Sequence, residues 1–134
     1  MTSDPFSSEN LLLAPVSIGE LVDKITILRI KAARFSGESL LHVTKELSLL
    51  EATLATAPVQ PPAELVVQLA DVNHKLWQIE DSIRDSERSQ CFDSLFIELA
   101  RSVYITNDQR ALLKKKINLY CGSSLIEEKG YASY

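Results

Sequence analysis

Leu65-Val66-Val67-Gln68-Leu69-Ala70-Asp71-Val72-Asn73-His74-Lys75-Leu76-Trp77-Gln78-Ile79-Glu80-Asp81-Ser82-Ile83 is the stretch whose pattern decides the architecture. Leu65, Leu69, Val72, Leu76, Ile79 and Ile83 recur at alternating spacings of four and three, which lays one apolar stripe along an α-helix. Neither Pro nor Gly interrupts the chain between Pro62 and Gly122. One helix of that length would run ~90 Å at ~1.5 Å per residue, too long for a compact domain. The stretch must fold back once, and the polar, aperiodic segment 86–93 is where the turn belongs. The first of the two helices starts at Pro61 or Pro62. The second carries Phe92, Phe96, Leu99, Val103, Thr106, Arg110, Leu113, Ile117 and Tyr120 on the same spacing and meets Gly122 as its cap. Thr106-Asn107-Asp108 has the composition of a helix start, yet the stripe keeps phase across it, which favours one continuous helix. Continuity puts Cys91 and Cys121 ~45 Å apart, far beyond the ~7 Å that a disulfide tolerates.

Working upstream, Pro58, Pro61 and Pro62 stop a helix over 38–57 with a stripe of Leu40, Val43, Leu47, Leu50 and Leu54. That stripe is expected to close on the 65–83 stripe as the seam of a helical hairpin. Ser17-Ile18-Gly19-Glu20 is a capping box, in which the serine hydroxyl takes the Glu20 amide and the Glu20 carboxylate reaches back. The helix it opens runs to 35–37, with Ile18, Leu21, Val22, Ile25 and Leu28 inward and Asp23, Lys24 and Lys31 projecting elsewhere. The expected fold is all-α, an antiparallel four-helix bundle with long helical hairpins. Residues 15–122 form the helical domain, 1–14 a flexible N-terminal arm and 123–134 a C-terminal tail.

The chain has 134 residues, 46% of them hydrophobic and 24% charged, enough apolar side chains for one core. Lys and Arg number 14 against 18 Asp and Glu, a net charge of −4, so a domain built to grip nucleic acid is not expected. No apolar run reaches the ~20 residues that span a bilayer. The first ten residues lack Lys and Arg and no secretory apolar stretch follows, so a cytoplasmic setting with reduced thiols is expected.

Heights along hairpins place chemistry. With turns near 36, 60 and 90, Thr26, Glu46, Asn73 and Asn107 fall at one level, and Thr106 and Arg110 interrupt the apolar seam beside them. Buried polar groups must be paired, since an unsatisfied one costs ~1–3 kcal/mol. The group reads as a polar layer fixing helix register, or as a small-molecule or anion site centred on Arg110. Glu80, Asp81, Arg84 and Arg88 sit at three- and four-residue spacing, as on a solvated face laced with ion pairs. A divalent-cation site would draw Glu20 and Asp23 to that face, but Glu20-x-x-Asp23 is a single match to the paired carboxylate arrangement such sites use. Lys114-Lys115-Lys116 reads as a cationic helix end complementing the dipole. His42 and His74 stand alone, without metal-ligand spacing, and Trp77 reads as core.

Pro15-Val16-Ser17-Ile18-Gly19-Glu20-Leu21-Val22-Asp23-Lys24-Ile25-Thr26-Ile27-Leu28, followed by Lys31, resembles the opening signature of a small bacterial family of uncharacterised helical proteins. Asn73, Leu76-Trp77, 80–84, 100–104, 106–108 and Glu127-Glu128-Lys129 extend the likeness over 15–129. The resemblance implies a domain of unknown function in which Lys24, Asn73, Glu80, Arg84, Asn107 and Arg110 are the polar positions to watch, and a tail that docks.

The function expected is a helical interaction or small-ligand-binding module with no cofactor and no metal, partnered by a second copy, another protein or a small anionic ligand. Its site residues are Lys24, Glu46, Asn73, Glu80, Arg84, Asn107 and Arg110. The rival is a carboxylate-based enzyme, with or without a divalent metal, acting on an anionic (phosphorylated) small substrate, with Glu80 or Glu46 as base or ligand and Arg110 holding the anion. The sequence leaves open whether the chain is an enzyme.

Overall fold

A computed structural model describes residues 10–134; the N-terminal arm expected over 1–14 therefore lies outside the described residues for 1–9. Four helices follow one another: α1 Ile18–Arg34, α2 Gly37–Ala55, α3 Ala63–Arg88 and α4 Ser94–Tyr120. No strand occurs among the described residues.

Local chemistry sets the helix ends. Ser17 Oγ accepts the Glu20 N–H at 3.1 Å, opening α1. The second half of the capping box is not made, because the Glu20 carboxylate turns to Lys114 Nζ at 2.6 Å. Asp93 Oδ1 accepts the Phe96 N–H at 3.2 Å and opens α4, which runs without a break through Asn107. At its far end the Gly122 N–H reaches the Leu119 carbonyl and the Ser123 N–H reaches the Asn118 carbonyl, with Gly122 at φ 70°. That is a Schellman cap, which needs a left-handed residue and so favours glycine. Cys91 and Cys121 are free thiols.

α1 lies at the centre and touches the other three helices, while α3 and α4 pack along each other. The backbone of α2 comes within 8 Å of neither α3 nor α4, which corrects the expected α2–α3 seam. The physical reason is the wide apolar arc of α1. Leu21, Val22, Ile25 and Leu28 are buried on it together with Gly19, Asp23 and Thr26, so α1 has faces for three neighbours. α2 buries only Val43 fully and rides on the outer flank of α1, sending Leu54 into the core. That core is Val22, Leu69, Leu113 and Ile117, one or two residues from each of α1, α3 and α4. Full burial of such side chains contributes ~1.5–3 kcal/mol each.

The ends of the α4 stripe fall outside the core. Phe92 precedes the helix and meets Phe96 edge to face at 5.1 Å, and Tyr120 is exposed. The pairs Gly19·Asn118, Glu20·Lys114 and Asp23·Arg110 descend α4 as they climb α1. At the first, the Gly19 N–H donates to Asn118 Oδ1 at 2.7 Å, and a Cβ on Gly19 would sit 2.5 Å from the Lys114 carbonyl oxygen. Residues 123–134 have no regular structure and return along α4, where Glu127 meets Lys114 and Tyr134 meets Asp108. No helix of the described residues is long and apolar enough to cross a membrane.

Candidate functional site

Where α1, α3 and α4 meet, the seam turns polar. Asp23, 1% exposed, takes Arg110 Nε on Oδ1 at 2.9 Å and Arg110 Nη2 on Oδ2 at 2.6 Å, a bidentate pair of the kind that fixes both distance and plane. Asn73 Nδ2 donates to Asp23 Oδ1 and to Thr26 Oγ1, each at 2.9 Å, and Thr26 Oγ1 donates to the Asp23 carbonyl at 2.8 Å. One turn along α4, Lys114 Nζ lies 2.6 Å from Glu20, 3.0 Å from Glu127 and 4.0 Å from Asp23.

The electrostatics follow these contacts. The Asp23 hydrogen bond lifts the Arg110 pKa above its ordinary value, against the effect of burial. Burial works against the Lys114 ammonium, but hydrogen bonds to Glu20 and Glu127 outweigh it and raise its pKa as well. Lys129 and then Lys114 hold the Glu127 carboxyl down at about 2. The Arg110 and Lys114 cations and the Glu127 carboxylate are therefore present together near neutrality. No buried polar side-chain atom among the described residues is left without a partner.

Two open spaces flank Arg110. The smaller, of about 470 Å³, is a cleft lined by Asn73, Trp77, Glu80, Asp81, Arg84, Asn107 and Arg110, with Ile27 and Leu76 as its apolar wall. Both Asn73 N–H groups are spent on Asp23 and Thr26, so the carbonyl oxygen is what this side chain offers the cleft. Trp77 is half-buried rather than core: Arg34 lies 5.5 Å over its ring and Phe35 packs at 6.2 Å. Glu80 and Arg84 pair along the helix at 3.6 Å. The larger space, of about 1050 Å³, lies between α4 and the returning tail.

Asn73 and Arg110 thus converge on Asp23, and Asn73, Glu80, Arg84, Asn107 and Arg110 share one cleft. Lys24 is exposed and lines neither space. Glu46 does not join the layer; it is exposed on α2, whose backbone stays away from α3 and α4. Lys114 is corrected as well, since it is buried among three carboxylates rather than trailing into solvent with Lys115 and Lys116. Asp23, expected to project away from the core, is its most buried acidic side chain. A signal for both was present: Gly19, Asp23 and Thr26 form one row on α1, and Arg110, Lys114 and Asn118 form a row at four-residue spacing on α4.

The arrangement offers donors. Glu20 and Asp23 already hold ammonium and guanidinium groups, the opposite of a cation site, and no three His, Cys, Asp or Glu side chains of the described residues gather as metal ligands. Three of the five Arg110 N–H groups have no acceptor among the described residues. No curated protein and no solved structure matches the chain. Residues 13–134 match a family of unknown function, DUF6165, and with nearly the whole chain covered the protein belongs to that family.

Proposed function

We propose that the protein is a small-ligand-binding module that takes an anionic molecule in the cleft of Asn73, Trp77, Arg84, Asn107 and Arg110. One observation carries the reading: α3 and α4 bring the Arg84 and Arg110 guanidinium groups, the Asn107 amide and the Trp77 indole, beside the carboxylates of Glu80 and Asp81, around about 470 Å³ of open space. Pockets of that size, with an apolar wall and a few convergent polar groups, are the usual form of a small-molecule site. Asp23 fixes the Arg110 plane from behind, which leaves the remaining N–H groups oriented before a ligand arrives. The enzymatic rival has less support, because Glu46 is exposed on α2, outside the cleft.

Trp77 is the sole tryptophan, so its emission reports this cleft directly. Titration with inorganic phosphate, sugar phosphates and nucleotides is expected to shift the emission for at least one of them and to raise the melting temperature with it. Arg84→Ala is expected to weaken that binding about tenfold, the scale of one charge-assisted hydrogen bond, while helical circular dichroism is unchanged. No response to any of these probes would refute the reading.

The descending α1–α4 pairs also support an up-and-down antiparallel bundle built around α1. Self-association has its own support on the outer face of α4, where Ile105, Leu112 and Leu119 are exposed at seven-residue intervals. Light scattering that finds only monomer at high concentration would remove the homodimer.

A further inference from the structure

Residues 123–134 do not lie flush on α4. They are pinned at two points: Glu127 on Lys114 at 3.0 Å, and the Tyr134 hydroxyl, which donates to Asp108 at 2.5 Å. Between the pins, helix and segment border an open cleft of about 1050 Å³. Pockets for drug-sized ligands measure ~300–1,000 Å³, so this volume has room for a whole small molecule.

Two features of the lining identify the guest. Three tyrosine rings border the space, and Tyr104 meets Tyr134 edge to face at 5.1 Å. Tyr131 and Tyr134 nevertheless remain 81% and 79% exposed, so neither ring is spent on the core of the fold. A flat aromatic molecule would cover both. The charged groups are distinguished by unfilled capacity. Glu20 and Glu127 each hold an ammonium and Asp108 holds the Tyr134 hydroxyl, whereas Arg110 has three N–H groups without an acceptor among the described residues and Lys129 keeps two beyond its bond to Glu127. Unfilled guanidinium donors select an acid, because charge-assisted hydrogen bonds are the stronger kind.

We propose that the space under the C-terminal segment is a second binding site, for a small aromatic carboxylic acid, with its ring among Tyr104, Tyr131 and Tyr134 and its carboxylate on Arg110. The segment acts as a strap over it. Glu127 is held by both Lys114 and Lys129, at 3.0 and 2.6 Å, while the other pin is one hydroxyl bond at the surface. Entry therefore opens the Tyr134 end and hinges at Glu127. Asn107 and Arg110 form the wall shared with the Trp77 cleft, but the tyrosines are not shared, so the two sites answer to different probes.

The test is a titration of the full, ¹⁵N-labelled chain with 4-hydroxybenzoate, followed by amide shifts. Binding is expected to move the signals of 103–111 and 129–134. Cyclohexanecarboxylate, with the same charge and no π-face, is expected to bind the unaltered chain about fivefold more weakly, within the range of one aromatic contact. Tyr131→Ala is expected to weaken 4-hydroxybenzoate by a similar factor and to leave the phosphate response of Trp77 alone. Arg84→Ala is expected to do the reverse. The proposal is overturned by absence of shifts up to about 10 mM, an affinity too weak to matter in a cell. Equal affinity for the two acids, or shifts confined to the neighbours of Trp77, would overturn it as well. Failure of the phosphate titration at Trp77 would leave these outcomes untouched.

Discussion

Replacing Arg110 with leucine measures what the pair with Asp23 contributes to the fold. The carboxylate is 1% exposed and takes two guanidinium bonds, at 2.9 and 2.6 Å, beside one amide bond from Asn73 at 2.9 Å. Leucine keeps the apolar stem of the side chain and removes both charged donors. Loss of one partner from a buried ion pair costs about 3–5 kcal/mol, chiefly because the other charge is stranded. Two features place this case at the lower end. The Arg110 side chain is 30% exposed, so water already screens part of the attraction, and Lys114 stays within 4.0 Å of Asp23. The expected loss is about 3 kcal/mol, or about 9–15 °C in melting temperature for a chain of this size. Urea unfolding followed by helical circular dichroism reads it. The variant Asp23→Asn combined with Arg110→Leu is expected to regain about 1 kcal/mol or more over Arg110→Leu alone, since a neutral amide is then the stranded group. The reasoning fails if Arg110→Leu unfolds within about 0.5 kcal/mol of the parent, the range of an ordinary surface change. It fails equally if the double variant is the less stable of the two.

Gly19→Ala is expected to destabilise by about 1–3 kcal/mol, because the new Cβ would fall 2.5 Å from the Lys114 carbonyl oxygen and 2.7 Å from Asn118 Oδ1, one of them backbone that cannot swing aside. Thermal unfolding checks this; a neutral outcome would mean that α1 and α4 do not approach as closely as Gly19 permits. The strap has a pH signature. Hydrogen bonds to Lys129 and Lys114 depress the folded-state pKa of Glu127 from 4.5 to about 2, so its contribution to docking is fully present above the ordinary carboxylate value and is lost as pH falls through about 2. The protection of amides in 123–134, corrected for the intrinsic exchange rate at each pH, is expected to fall over that window, and Glu127→Gln is expected to lower it already at neutral pH. Strap protection that is indifferent to both changes would contradict the ion pair.

Why the helices were legible and half of the charged cluster was not comes down to the range of the interactions involved. Ser17, Asp93 and Gly122 mark helix ends through bonds to residues at most five positions away, so the chain itself carries the signal. Asn73 and Arg110 stand out because each interrupts an apolar stripe, and a polar side chain on such a stripe must find a partner. Asp23 and Lys114 stand one position beside a stripe, next to Val22 and Leu113, where a helix with a single neighbour would face solvent. Their burial depends on α1 having three neighbours, which is a property of the assembled fold and not of any one segment. The same property displaces Glu46: equal height on a hairpin brings side chains together only if the helices are adjacent, and α2 is adjacent to α1 alone. A single-stripe reading of α1 therefore loses the acid at the centre of the site together with the lysine beside it. Reading the two rows as facing surfaces, Gly19-Asp23-Thr26 against Arg110-Lys114-Asn118, restores both, because a small residue and an acid can approach the second helix closely only where amides and cations receive them.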